Sequence, residues 1–107
     1  MSVKLFLLKS GEYVISDGKE LISNENPVGY LFNNPFKAIV NSPIFLSESV
    51  NEPEVSVSLS PWIILTNDSQ IPIPFDWVVT VLEPIETLKQ MYEEQVNGKT
   101  NKDSSFN

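Results

Sequence analysis

The chain contains no cysteine, no histidine and no arginine. Without thiols or imidazoles there is no disulfide, no thiolate nucleophile, no Cys/His zinc site and no Ser/His or Cys/His catalytic pair. These absences remove most covalent enzyme mechanisms. The missing guanidinium groups are the ones that read guanine bidentately, and 14 acidic against 7 basic residues give a net charge of −7 that repels phosphate. Sequence-specific DNA is therefore not an expected partner. Long apolar runs are also lacking: residues 5–8 (LFLL) are followed at once by Lys9 and Gly11, and nothing approaches the roughly 20 apolar residues of a membrane span. The expectation is a soluble protein of the cytoplasm, with no membrane partner.

What is present is β-rich. A chain of 107 residues suits one domain, and at this size folding buries only about 60 to 70% of the unfolded surface, so association would add stability. The most strand-like stretch is 75–82 (FDWVVTVL), where period two puts Phe75, Trp77, Val79 and Val81 on one face and leaves only Asp76 and Thr80 polar. Such a strand needs cover, so it is expected to be central or to be paired with a second copy.

Residues 3–8 (VKLFLL) form a first strand closed by Lys9-Ser10-Gly11. A second strand starts at Glu12; Asp17-Gly18 reads either as a tight type I′ turn or, the preferred reading, as a bend within one long strand reaching Ile22, and the polar cluster 23–26 with Pro27 turns the chain into an interrupted third strand, 28–32 and 36–40. Residues 41–53 read as a long connection anchored by Ile44, Phe45 and Leu46. Val55, Val57 and Leu59 alternate with serines in a fourth strand that continues through Trp62 to Leu65. Residues 66–70 are a polar loop, and Ile71-Pro72-Ile73-Pro74 is expected to be extended without ladder bonds at its prolines. Pro84 opens a helix with Ile85, Leu88, Tyr92 and Val96 along one stripe, stopped by Asn97-Gly98. The predicted organisation is mainly β: a five-stranded bent sheet or small barrel with one C-terminal α-helix over 1–96, then a disordered tail over 97–107.

LKSGE at 8–12, PWI at 61–63 and IPIPFDWVVTVLEPIETLKQMYEEQV at 71–96 resemble the small Sm-like (LSm) proteins of cyanophages and marine viruses. The resemblance covers most of the chain. It implies a five-stranded barrel in a homo-oligomeric ring of about five to seven subunits, the fourth strand of one pairing with the fifth of the next. It also implies single-stranded RNA as a ligand, held by loops whose matches here are 23–26 and 66–70. The pattern departs from the family in three places. Where the family's first loop holds a base with an aspartate and an asparagine, 23–26 offers only the amides of Asn24 and Asn26. The second loop lacks the family's arginine and glycine, and the helix follows the sheet instead of preceding it.

The RNA-contact candidates are Asn24, Asn26, Asn67, Ser69 and Gln70, whose amides and hydroxyl can hydrogen-bond base edges. As turn residues they need no further role. Trp62, Phe75 and Trp77 can stack on bases, although strand aromatics more often pack. The subunit-interface candidates are Val57, Leu59, Trp77, Val79 and Val81. Glu52 with Glu54, or Asp68 with Asp76, are weak candidates for a carboxylate pair, surface charge being the ordinary role. Gly98-Lys99-Thr100 follows a helix, the wrong context for a phosphate loop. No cofactor and no metal site are expected. The leading expectation is a non-enzymatic Sm-like ring that binds RNA or regulates RNA or transcription in a phage-infected cell. The alternative is an acidic adaptor that docks a host or viral protein without binding RNA.

Overall fold

The computed structural model describes residues 2–41 and 56–105, with side chains inside the last helix as far as residue 98. The connection around Ile44, together with Glu52 and Glu54, lies outside the described residues. Elements follow in the order β1 (Val3–Leu8), β2 (Tyr13–Ser23), β3 (Asn26–Val40), β4 (Val57–Pro61), β5 (Gln70–Pro74), a 3₁₀ turn (Phe75–Trp77), β6 (Val78–Leu82) and α1 (Glu86–Ser105). All pairings are antiparallel, in the order β4-β3-β2-β1-β6, with β5 also on β3. The architecture is mainly β with one C-terminal helix. It has six strands rather than five, and no ladder among the described residues closes the sheet.

β2 runs as one strand through Asp17-Gly18, with no turn there, and is hairpinned to β3 through Asn24 (φ 52°) and Glu25 (φ 67°). Two successive left-handed residues between the paired Ser23 and Asn26 make the primed turn whose twist matches the flanking strands. β3 is continuous where an interruption was expected, because Asn34-Pro35 is a bulge and not a break. Ile15 pairs with Phe36 and Asp17 with Asn33, so Ser16 faces both Asn34 and Pro35. Asn34 takes a left-handed φ of 48°. The extra residue reverses the face of everything beyond it.

That reversal divides the core. Phe32 packs with Phe6, Leu8, Val14 and Ile73 inside the rolled sheet, whereas Phe36, only four positions on, packs with Val3, Ile15, Leu88 and Tyr92 under α1. The helix stripe holds at Leu88 and Tyr92, which are buried, and at Val96, which is partly buried, but Ile85 is exposed. The helix also continues to Ser105, past the stop expected at Asn97-Gly98. Gly98 is not left-handed, and one interior glycine costs about 1 kcal/mol, which does not end a helix by itself.

Three further expectations are corrected. The Ile71-Pro74 segment is a true strand on β3, pairing Ile71 with Phe32 and Ile73 with Tyr30. Its prolines are tolerated because β5 has a strand partner on one side only among the described residues, so the missing donors belong to the other side. Trp62 to Leu65 do not extend β4. The bulge interrupts the edge that β4 follows: β4 leaves β3 at the Pro61/Phe36 pair and β5 resumes at Gln70/Asn33, with residues 62–69 looping out between. Phe75–Trp77 is a 3₁₀ turn and not part of a central strand. It carries the chain from Pro74, beside Gly29 of β3, to Val78, beside Leu8 of β1. A crossing so short requires the sheet to roll, and the Phe6 ring meets Tyr30 and Phe32 at 5.3 and 4.4 Å inside it.

Candidate functional site

Asn24 and Asn26 are exposed at the β2–β3 tip, and Asn67, Ser69 and Gln70 are exposed in the 62–69 excursion and at the head of β5. The fold does not bring these two groups together within one chain. Asn26 and Asn33 are seven positions apart on β3, about 23 Å of extended strand, and Gln70 lies at the Asn33 end. Several of these atoms also have structural partners. Gln70 Nε2 donates to Asn33 Oδ1 at 2.8 Å, and the Ser69 carbonyl accepts from the Asn34 amide at 2.6 Å. Asn24 supplies one of the left-handed positions of its turn, a conformation that asparagine tolerates.

The turn nearer Asn24 and Asn26 is Phe75–Trp77. Gly29 pairs with Pro74, which places Phe75 about 10 Å along β3 from Asn26. The Phe75 ring stands edge-on to Tyr30 at 4.9 Å, while Trp77 is exposed and its carbonyl accepts from the Lys9 amide at 2.9 Å. This juxtaposition is hidden in the sequence, because a period-two reading of 75–82 conceals the turn.

Trp62 turns inward, 5.8 Å from the Phe32 ring, and its Nε1 donates to Glu12 Oε1 at 3.5 Å. Ser10 Oγ donates to the same carboxylate at 2.8 Å and Lys37 Nζ lies 3.6 Å away. The Ser10 hydrogen bond leads in holding the Glu12 carboxyl below its usual range, with Trp62 and Lys37 adding to it against the opposing effect of burial. These contacts pin the root of the excursion. Its tip is bare: Ile64 is 76% and Leu65 92% exposed. Beneath the tip lies a cleft of about 230 Å³ whose lining mixes apolar side chains, Pro35, Phe36 and Trp62 among them, with the polar Asn34, Asn67 and Asp68.

The interface candidates fall on two edges. Val57 and Leu59 are on β4, which among the described residues pairs only with β3, and both lean on the core beneath α1. Trp77 is in the 3₁₀ turn, and Val79 and Val81 are on β6, which among the described residues pairs only with β1. β6 carries its own bulge: Leu7 pairs with Thr80 and Leu8 with Val78, leaving Val79 as the extra residue. Val79 is 58%, Val81 38% and Leu82 43% exposed. Asp68 lines the cleft and Asp76 sits in the 3₁₀ turn; among the described residues no three carboxylates gather in a metal-holding group. No helix among the described residues is long and apolar enough to cross a membrane. No family model matches the chain, and no curated protein matches it.

Proposed function

We propose that this chain is a non-enzymatic, Sm-like protein of the cytoplasm that assembles through its strand edges into a closed homo-oligomeric ring. The observation that carries this reading is the edge of β6 that has no strand partner among the described residues, with Val79, Val81 and Leu82 exposed. An apolar strand with unpaired backbone groups is a template for another strand. The resemblance at 8–12, 61–63 and 71–96 implies that the fourth strand of one subunit meets the last strand of the next. In this chain those are the two ends of the strand order β4-β3-β2-β1-β6. Pairing the rolled sheet with its neighbour would complete the ladders and cover the apolar edge together.

Repeated around a ring, the Asn24/Asn26 tip and the Phe75–Trp77 turn would offer single-stranded RNA amides beside aromatic rings. A second reading, a protein adaptor without RNA binding, is favoured by the net charge of −7 and the absence of arginine. Light scattering tests the assembly: a mass several times the 12.1 kDa of the chain is expected at micromolar concentration, and a stable monomer overturns the ring. Fluorescence anisotropy with uridine-rich and adenine-rich oligomers separates the two readings. Salt-sensitive binding supports RNA, and flat titrations at low salt leave the adaptor.

A further inference from the structure

We infer that the cleft beneath the 62–69 excursion is a socket for an arginine side chain of a basic partner protein, a role that does not depend on the ring. Its chemistry is split. Trp62 and Pro35 give its lining an apolar, aromatic part of the kind that accepts a flat, weakly hydrated cation, and Asp68, Asn34 and Asn67 in the same lining carry oxygen acceptors. No lysine is among the residues that line the cleft.

The Asp68 carboxylate is left over by the rest of the molecule. The ion pairs of the described residues join Lys4 to Glu83 and Lys37 to Glu12, and neither reaches Asp68. Its backbone amide donates to Thr66 Oγ1 at 3.1 Å, and the excursion is held at both ends, by the Trp62 amide on the Pro35 carbonyl at 3.1 Å and by the Ser69 carbonyl on the Asn34 amide. The socket is therefore formed before anything enters it.

Charge decides between occupants. A net charge of −7, with no cation in the lining, disfavours a nucleotide phosphate and favours a cation. A guanidinium suits both kinds of lining group, since it stacks on an aromatic ring such as Trp62 and pairs with a carboxylate such as Asp68. This chain has no arginine, so the occupant comes from a different protein.

The test uses the full chain and a short acetylated glycine peptide with one central arginine, followed by ¹⁵N amide shifts. Light scattering on the same samples reads assembly separately. The arginine peptide should move the amides of Ile64, Asn67 and Asp68. The same peptide with citrulline, a neutral isostere, should bind about tenfold more weakly, and Asp68→Asn should cost about tenfold while the remaining amide spectrum stays in place. Equal binding of arginine and citrulline peptides, an unaffected Asp68→Asn, or no shifts at millimolar arginine peptide would overturn the socket. So would a uridine-rich oligonucleotide that moves the same amides. None of these results bears on the ring, which stands or falls by the measured mass.

Discussion

The Tyr92 hydroxyl donates to the Asn33 carbonyl at 2.8 Å and accepts from the Asp17 amide at 3.0 Å, so one side chain of α1 spans the bulge where β2 and β3 lose register. Ser16 Oγ donates to the same carbonyl at 2.9 Å, and Asn33 Nδ2 returns a bond to the Asp17 carbonyl at 2.9 Å. The backbone groups freed by the extra residue are thus satisfied from side chains. The bulge in turn sends Phe36 toward α1, where its ring meets Tyr92 edge-on at 5.9 Å. Helix docking and sheet bending are one structural event.

Tyr92→Phe should therefore cost about 1–2 kcal/mol, since it keeps the ring and deletes two hydrogen bonds at a buried site. Urea denaturation would show it. Burial pushes the Tyr92 hydroxyl above its ordinary value of 10.0. A group raised in the folded state contributes stability that is complete below the unfolded value and lost as pH rises through the folded one. Wild-type stability should fall steadily above about pH 10, and Tyr92→Phe should flatten that limb.

At the acid end Glu12 sets the opposite slope. Its carboxyl is lowered from 4.5, chiefly by the Ser10 hydrogen bond, so its contribution is present above the ordinary glutamate range and lost as pH falls through the depressed value. Thermal melts between pH 6 and pH 3 should therefore show wild type losing more Tm than Glu12→Gln. Parallel melting curves for the two proteins would contradict that assignment.

The β2–β3 turn offers a stabilising change. Glu25 holds φ 67° in a position that favours glycine. Glu25→Gly relieves the left-handed strain at some cost in chain entropy, and a net gain of about 0.5–1 kcal/mol is expected by chemical denaturation.

Gly29→Ala should do the reverse. A Cβ at Gly29 would overlap the carbonyl oxygen of Ile73, a backbone atom that cannot rotate away. Holding β5 off β3 should cost about 2–3 kcal/mol, visible as a lower denaturation midpoint and as faster amide exchange along 70–74.

Much of this fold was legible in the residues, and what was not has a common cause. β1, the single long β2, the 23–26 turn and the buried helix positions Leu88 and Tyr92 follow from period and turn chemistry. Misreadings arose where the pairing of strands, and not the local residue pattern, decides the conformation. Asn34 and Pro35 looked like a break because proline and a polar pair usually end strands, yet an antiparallel partner with Ser16 and Tyr92 to satisfy it makes them a bulge. Phe75–Trp77 looked like strand because its residues are strand formers, while the short crossing from β3 to β1 makes them a turn. Ile63, Ile64 and Leu65 are apolar enough for a strand but have no strand partner among the described residues once β4 leaves β3 at Pro61. Each depends on tertiary pairing, which local propensity does not encode.

The edge of β6 that has no strand partner among the described residues carries the last prediction. Val79 is the extra residue of the β6 bulge and is more than half exposed, so replacing it removes little from the folded chain while changing what a neighbouring strand would meet. Val79→Lys puts a charge on that edge, the device natural sheets use to stop strands from pairing across molecules. Far-UV circular dichroism should be unchanged, while the mass by light scattering should fall to that of one chain. Ile22→Lys is the control, since Ile22 is an equally exposed apolar residue near the β2–β3 tip, on a strand that does not form either end of the sheet. It should leave the mass intact. If both variants dissociate the assembly, general apolar exposure drives association and not the β6 edge. If neither does, the contact lies elsewhere, and the strand pairing proposed for the ring is wrong even though the protein oligomerises.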